Sequence, residues 1–143
     1  HHQTASSPDG TGSYTAMMGA LKMAGLEYGA IDYINLHGTG TQNNDASEST
    51  AISRIFGDQY PRMSSTKSFT GHTLAACGGI EAVYGVASID RQCLFPGLRI
   101  QQPVIPKPGV MVSAFEPGVP VKNILSNSFG FGGNCSSLIF SQP

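Results

Sequence analysis

Two histidines follow β-rich segments of the chain, and each lies in a loop of small residues. His37 comes directly after residues 31–36, and His72 comes after the short stretch 63–66. Because sites in α/β sheets form at the carboxyl ends of the strands, we expect the two imidazoles to converge there. Two imidazole N–H groups could hold one oxygen that becomes negative, as in an enolate. The alternative for each residue is a structural histidine whose hydrogen bonds are satisfied in the core.

A metal site is a second use for such a pair of histidines. It would need a third ligand, and Asp45 or Glu48 are the candidates. Their spacing fits a capping box at the start of a helix better, so we predict no metal site. Cys77, Cys93 and Cys135 are an odd number without a C-x-x-C spacing, which argues against a disulfide framework or a zinc site.

One lysine and one glutamate are predicted to pair near His72. Lys67 lies five residues before that histidine, and Glu81 is the only carboxylate in the apolar segment 74–89. A buried carboxylate needs a partner, and Lys67 is the natural candidate. A lysine exposed in a loop is the alternative that the spacing leaves open.

Two loops carry groups that could contact a substrate. Thr39 and Thr41 alternate after His37 and could hydrogen-bond an extended amide chain, although ordinary turn chemistry explains the same pattern. The glycine-rich stretch 130–133 precedes a strand rather than a helix, so we reject a phosphate-binding loop. Its backbone N–H groups could instead face an oxyanion, or the stretch could be a tight hairpin without a ligand.

The elements that must position these residues alternate along the chain. This order favours an α/β layer with a mainly parallel sheet, closed by an antiparallel hairpin whose Phe129 and Phe131 form apolar walls. The predicted elements are a helix capped by Thr11 or Ser13 and ending at Gly25, a strand over 31–36, a helix from the capping box to Gly57, a strand over 63–66, a helix over 74–89 buried on almost every side, one strand at 110–114, and strands over 121–127 and 135–140.

Composition excludes several classes of protein. The chain has 143 residues, of which 12% are charged, and its net charge is -1. Without a basic excess, nucleic acid binding is not expected, and no apolar run is long enough for a membrane helix. The cysteine usage fits a reducing, cytoplasmic setting. So little charge also suggests a surface that is normally buried against another domain or subunit.

Three motifs in one order resemble the C-terminal half of a β-ketoacyl-acyl carrier protein synthase, a condensing enzyme of the thiolase-like superfamily. They lie at residues 33–41 (YINLHGTGT), followed by Asp45 and Glu48, then at 64–72 (SSTKSFTGH) and at 127–134 (NSFGFGGN). The resemblance implies an α/β thiolase-like half, with a mixed, mainly parallel sheet packed by helices and a C-terminal antiparallel hairpin.

The activity implied by the resemblance is decarboxylative Claisen condensation of acyl and malonyl thioesters in fatty acid or polyketide synthesis. His37 and His72 would bind the thioester oxygen and stabilise the enolate. Lys67, supported by Glu81, would organise the site around His72.

The resemblance also implies the roles of the supporting residues. Thr39 and Thr41 would contact the phosphopantetheine arm of an acyl carrier protein, with no permanently bound cofactor. Phe131, together with Phe129, would form the oxyanion hole and the gate of the acyl pocket, and Asp45 and Glu48 would support the polar network behind the site.

The nucleophilic cysteine of the family belongs to an N-terminal half that these residues do not include. Residues 1–143 are therefore expected to be a C-terminal domain that is inactive alone and homodimeric at full length. The alternative is a non-catalytic synthase-like subunit that sets chain length. A non-decarboxylating thiolase is disfavoured by the intact segment 67–72 and by the lack of a reactive cysteine near residue 133.

Overall fold

A four-stranded sheet carries the histidine loops, and helices cover both of its faces. The computed structural model describes residues 3, 5–103 and 105–143. The helices are α1 (Thr11–Ala24), α2 (Gln42–Phe56), α3 (Lys67–Thr70) and α4 (Cys77–Arg91), and the strands are β1 (Tyr33–Asn35), β2 (Arg62–Ser64), β3 (Cys93–Leu94), β4 (Glu116–Pro117), β5 (Asn123–Phe129) and β6 (Cys135–Ser141); short 3₁₀ turns cover Tyr28–Ala30, Leu74–Ala76 and Phe131–Gly133.

The strands of the main sheet are ordered β2-β1-β5-β6. Strand β1 is parallel to both β2 and β5, whereas β5 and β6 form an antiparallel hairpin. The predicted fold class is thereby confirmed. Since β1 and β2 run parallel in adjacent positions, the loops that follow them emerge at the same edge of the sheet.

Alternate residues of the central strands enter two different apolar clusters. Ile34 and Leu125 pack with Met17 of α1 and Ile52 of α2 on one face. Their strand neighbours Tyr33 and Ile124 lie in the other cluster, on the face where α4 packs against β5. The two-residue period of a strand thus builds a three-layer arrangement in which β1 is held from both sides.

The predicted caps of the first two helices were wrong. Helix α1 does end at Gly25, which has the left-handed backbone of a C-cap. At its start, however, the Thr11 N–H donates to Ser7 Oγ and Asp9 Oδ1, both at 3.1 Å. The Thr11 hydroxyl also donates to Asp9 Oδ2 at 2.8 Å. Hydrogen bonds from the Thr11 hydroxyl, the Ser7 hydroxyl and the Thr11 N–H, in that order, lower the pKa of Asp9 to about 2.

The second error concerns the capping box. Helix α2 begins at Gln42, so Asp45 lies within its first turn and Thr41 is the flanking residue. Glu48 lies one turn further on and faces inward, where it is free to contact the loop after β1. The helix does end at Gly57, as predicted.

The helix predicted to be buried on nearly every side is not buried in this chain. Residues 74–76 form a 3₁₀ turn, and α4 proper starts at Cys77. Only one face of α4 is buried, while Val83 and Val86 are exposed on the other. Within the described ranges, no helix is long and apolar enough to cross a membrane.

The proline-rich connection also differs from its prediction. No strand forms over 110–114; Met111 makes only an isolated bridge with Met63. The strand of this connection is instead β4, which pairs antiparallel with β3. Strand β5 begins and ends two residues later than the predicted 121–127, so that Phe129 belongs to the strand and pairs with Cys135.

Candidate active site

The two histidines meet, as their positions in the sequence predicted. The ring centroids of His37 and His72 are 5.4 Å apart, with the rings nearly perpendicular. The ring of Phe129, from the end of β5, lies 5.8 Å from His37. Two strand-end loops and the hairpin strand therefore bring two imidazoles and one apolar wall to a single point.

His37 is neutral at physiological pH because of where it lies. Its residue is only 4% exposed. Burial, followed by the electrostatic influence of Lys67 and then of His72, lowers the pKa of His37 to about 3. A neutral imidazole carries one N–H donor and one acceptor nitrogen, so this ring can donate a hydrogen bond without carrying a charge.

His72 has its tautomer set by the backbone. The N–H of Leu74 donates to His72 Nδ1 at 3.1 Å, and Leu74 adopts a left-handed backbone to do so, with φ of 54°. An accepting Nδ1 holds no proton, so neutral His72 carries its proton on Nε2. The strained turn thus leaves one N–H available for a ligand.

The predicted ion pair beside the histidines is confirmed. Lys67 Nζ donates to Glu81 Oε1, and the two side chains are 5% and 2% exposed. Burial raises the pKa of Glu81, although the hydrogen bond and charge of Lys67 act in the opposite direction. A buried carboxylate on α4 is therefore matched by the ammonium group that opens α3.

Glu48 supports the backbone of the His37 loop. Its Oε1 accepts the His37 N–H and its Oε2 accepts the Gly38 N–H, both at 2.9 Å. Burial raises the pKa of Glu48 despite these bonds. The carboxylate thus fixes the main chain from which the His37 imidazole projects.

Close packing fixes the next residue of this loop. Gly38 has φ of +41°, and a Cβ added there would lie 2.6 Å from Ser65 Cβ. The Ser65 hydroxyl donates to the Gly38 carbonyl at 3.0 Å. Only glycine fits between the ends of β1 and β2, which is why the two histidine loops can approach each other.

Asn127 is a site residue that sequence reasoning did not assign. It is fully buried in β5. Its Nδ2 donates to Glu48 Oε1 at 3.0 Å, and its Oδ1 accepts the Ser137 hydroxyl at 2.8 Å. Because Asn123, Ser126 and Ser128 lie in the same strand, no local pattern singled out Asn127 as the buried amide that requires partners.

Asp45 lies near this network without joining it directly. It accepts a hydrogen bond from Asn44 Nδ2 at 3.0 Å, and its charge contributes to the raised pKa of Glu48. It lines a cavity of about 480 Å³ that also reaches Lys67 and His72. Its supporting role therefore stays a prediction.

The substrate-contact candidates share a larger cavity with the histidines. This cavity, of about 820 Å³, is lined by His37, Thr39, Thr41, His72, Phe129 and Phe131. The Thr39 and Thr41 hydroxyls lie 2.9 Å apart and bond to each other. Phe131 is 73% exposed at the rim, within the 3₁₀ turn of the hairpin. The roles predicted for the two threonines and the two phenylalanines remain predictions.

The cysteines are separate from one another. All three are free thiols, and burial raises the pKa of Cys93 and Cys135. Cys77 is the first residue of α4 and lines the larger cavity, so it is less enclosed by helix than predicted. Among the described residues, no group of three or more His, Cys, Asp or Glu side chains is arranged to hold a metal ion.

Comparison with known proteins agrees with the fold and motifs. The family model for the beta-ketoacyl synthase C-terminal domain matches residues 1–101. A 3-oxoacyl-[acyl-carrier-protein] synthase 2 of Rhizobium meliloti is 43% identical over 99% of this chain, which spans 34% of that protein. The chain spans about a third of the length of the curated relatives it matches.

Solved structures give the same result. A structure of the ishigamide ketosynthase/chain length factor superimposes with a TM-score of 0.91 and 32% identity, over 99% of this chain and 35% of that one. A type II polyketide ketosynthase in complex with its acyl-carrier protein gives a TM-score of 0.90 and 31% identity, over 100% of this chain and 36% of that one. This chain belongs to the β-ketoacyl synthase family, within the family's C-terminal domain.

Proposed function

We propose that this chain is the C-terminal half of a β-ketoacyl-acyl carrier protein synthase, an acyltransferase that performs decarboxylative Claisen condensation in fatty acid or polyketide synthesis. The observation that carries the proposal is the pair of imidazoles of His37 and His72, 5.4 Å apart in an open cavity. The two rings are placed to donate hydrogen bonds to one oxygen, and His37 does so as a neutral imidazole.

The condensation begins with a malonyl thioester whose carbonyl oxygen lies between the two rings. His72 donates through Nε2–H, and neutral His37 supplies the second N–H. As CO₂ leaves, the electron pair of the broken C–C bond moves onto the α-carbon and the carbonyl oxygen. The two hydrogen bonds strengthen as that oxygen becomes negative, so they favour the transition state over the bound substrate.

The carbon–carbon bond then forms to an acyl group held as a thioester. The nucleophilic α-carbon attacks the acyl carbon, the tetrahedral oxyanion collapses, and the cysteine thiolate leaves. In this proposal the thiol belongs to the N-terminal half of the full-length protein. The backbone N–H of Phe131 would face the oxyanion, and its ring would close the acyl pocket.

Lys67 would act through its charge rather than by touching the substrate. The ammonium group is buried, and its field favours the neutral form of His37 and any negative charge that develops nearby. Glu81 holds the ammonium in place. The Lys67–Glu81 pair would therefore keep His37 neutral, as a hydrogen-bond donor, and place the Lys67 ammonium group near the developing negative charge.

We propose acyl carrier protein as the partner that delivers both substrates, in the cytoplasm. Thr39 and Thr41 line the cavity with exposed hydroxyls, as contacts for the amides of a phosphopantetheine arm would require. The solved complex of a ketosynthase with its acyl-carrier protein supports this assignment by similarity.

Large apolar residues on the surface of this chain support the proposal that an N-terminal half packs against it. Leu74, Val83, Phe131 and Leu138 are large apolar residues that are more than half exposed. Strand β6 forms an end of the sheet as described, with an unpaired edge. We propose that the N-terminal half of the same protein covers this apolar surface and that the complete protein is a homodimer.

The test is decarboxylation by the full-length protein. His72→Ala should abolish CO₂ release from malonyl-carrier protein, and the matched control Thr50→Ala, on the exposed face of α2, should leave it unchanged. Release of CO₂ by the His72→Ala variant at the normal rate would refute the proposal.

The competing function is a chain-length-determining subunit without catalysis, and one similar structure is described as a ketosynthase/chain length factor. The presence of both histidines and of the Lys67–Glu81 pair favours the enzyme, since a non-catalytic partner has no need of them. Condensing activity of the full-length protein alone would decide for the enzyme. Activity that appears only with a second, cysteine-bearing subunit would decide for the partner.

A further inference from the structure

The larger cavity has a wall that the motifs did not identify. Segment 5–7, which precedes α1, lies along the cavity, and Ala5 and Ser6 line it together with Thr39 and Thr41. The segment has no helix or strand of its own. Its position must therefore be set by contacts with other elements.

Asn43, in the first turn of α2, makes those contacts. The Ser6 N–H donates to Asn43 Oδ1 at 2.9 Å, and Asn43 Nδ2 donates to the Ser6 carbonyl at 3.4 Å. One amide side chain thus satisfies both the donor and the acceptor of a single residue, as a neighbouring strand would. One turn along α2, the Ser47 hydroxyl adds a 2.8 Å bond to the Ser7 carbonyl.

The same amide borders the threonine loop. Asn43 follows Thr41 by two residues and itself lines the cavity. The side chain therefore sets the distance between segment 5–7 and the Thr39–Thr41 loop. Asn43 is exposed and contributes nothing to the core, so its contacts hold a wall of the cavity rather than the fold.

We propose that Asn43 is a positioning residue that fixes the entrance through which the pantetheine-type arm reaches the two histidines. The inference rests on the proposed function and extends it to the recognition of the arm. A preformed wall spares the substrate the entropic cost of ordering segment 5–7, so its loss weakens binding of the arm. The chemistry at the histidines is untouched.

The experiment compares two thioesters in the full-length protein. Malonyl-carrier protein has the whole arm, whereas malonyl-N-acetylcysteamine has only its terminal part. Asn43→Ala should raise KM for malonyl-carrier protein about tenfold, equivalent to about 1.4 kcal/mol, with kcat unchanged. KM for the truncated thioester should not change, because that substrate does not span the entrance.

Two further variants complete the test. Asn43→Asp keeps the acceptor for the Ser6 N–H and should restore most of the affinity for the carrier substrate. Thr50→Ala changes an exposed hydroxyl that donates to the Ala46 carbonyl of its own helix, and it should match the wild type with both substrates.

The outcomes separate the two proposals. An unchanged KM for the carrier substrate in Asn43→Ala, an equal rise for both thioesters, or a fall in kcat alone would overturn the role of Asn43 while leaving the proposed function standing. A wild-type protein that acts on neither thioester would overturn the proposed function itself, and the inference with it.

Discussion

Two buried carboxylates lie beside the pair of histidines, and their hydrogen-bonding needs are satisfied in different ways. Glu48, beneath His37, accepts hydrogen bonds from three N–H groups and pairs with no cation among the residues that the structure describes. Glu81, near His72, is paired with the ammonium group of Lys67. Both residues are 2% exposed, and burial raises the pKa of both.

The two carboxylates therefore have different roles: one positions the backbone, and the other acts through the charge of its partner. The hydrogen bonds of Glu48 end on the backbone of the His37 loop and on Asn127, so that carboxylate sets positions. The Glu81 carboxylate holds the ammonium group of Lys67, and the charge of Lys67 in turn acts on His37. One carboxylate orients a ring and the other helps to determine its protonation.

Breaking the ion pair should have the largest effect on stability. Lys67→Met leaves the Glu81 carboxylate buried without a cation and should lower the free energy of unfolding by about 3 to 5 kcal/mol. The double variant Lys67→Met, Glu81→Leu should recover most of the loss, because it removes both buried charges. Denaturant unfolding of the full-length protein measures both; a double variant as unstable as the single one would contradict this account.

A smaller effect is expected for the carboxylate without a cation. In Glu48→Gln the amide keeps one accepting oxygen but sets an NH₂ group against one of the N–H donors, which should cost about 2 to 3 kcal/mol. Burial of the charge is relieved at the same time, so the loss should be less than in Lys67→Met. Equal losses in the same unfolding measurement would remove the distinction between the two sites.

The protonation of His37 gives a pH test. Its folded pKa of about 3 lies below its ordinary 6.5, so between these values the unfolded chain binds a proton that the folded protein does not. The contribution of neutral His37 to the free energy of unfolding is therefore fully present above about pH 6.5. As the pH is lowered from about 7 to about 5, this contribution falls by about 2 kcal/mol.

The matched variant isolates this contribution. Glu48 and Glu81 have raised pKa values, so they favour the folded state as the pH falls. They are present in both wild type and His37→Asn and cancel in the comparison. The difference in stability between the two proteins should shrink towards acid; a difference independent of pH would show that His37 is not held neutral by the fold.

The smallest effect should come from breaking a partly exposed pair of opposite charges. The Arg62–Glu116 pair joins side chains that are 35% and 30% exposed. Arg62→Gln should lower the free energy of unfolding by less than about 1 kcal/mol. The same denaturant unfolding of the full-length protein measures it. A loss as large as that in Lys67→Met would mean that burial is not what makes the inner pair costly to break.

Much of the fold class and part of the site could be predicted from local patterns. The histidines follow strands and Gly25 and Gly57 end helices, because two- and 3.6-residue periods and glycine stops are written in short stretches of sequence. The Lys67–Glu81 pair was also predictable, since a lone carboxylate in an apolar segment requires a partner. The convergence of His37 and His72 followed from the placement of strand ends in parallel sheets.

Tertiary structure decided what distant residues do to one another. The Asp45–Glu48 spacing suggested a cap, but the inward face of α2 placed Glu48 under the His37 loop, and strand pairing brought Asn127 to it from 79 positions away. Asn43 and segment 5–7 are separated in a similar way. Local sequence determines which bonds a side chain can form, whereas only the packing of helices and strands determines which partners come within reach of it.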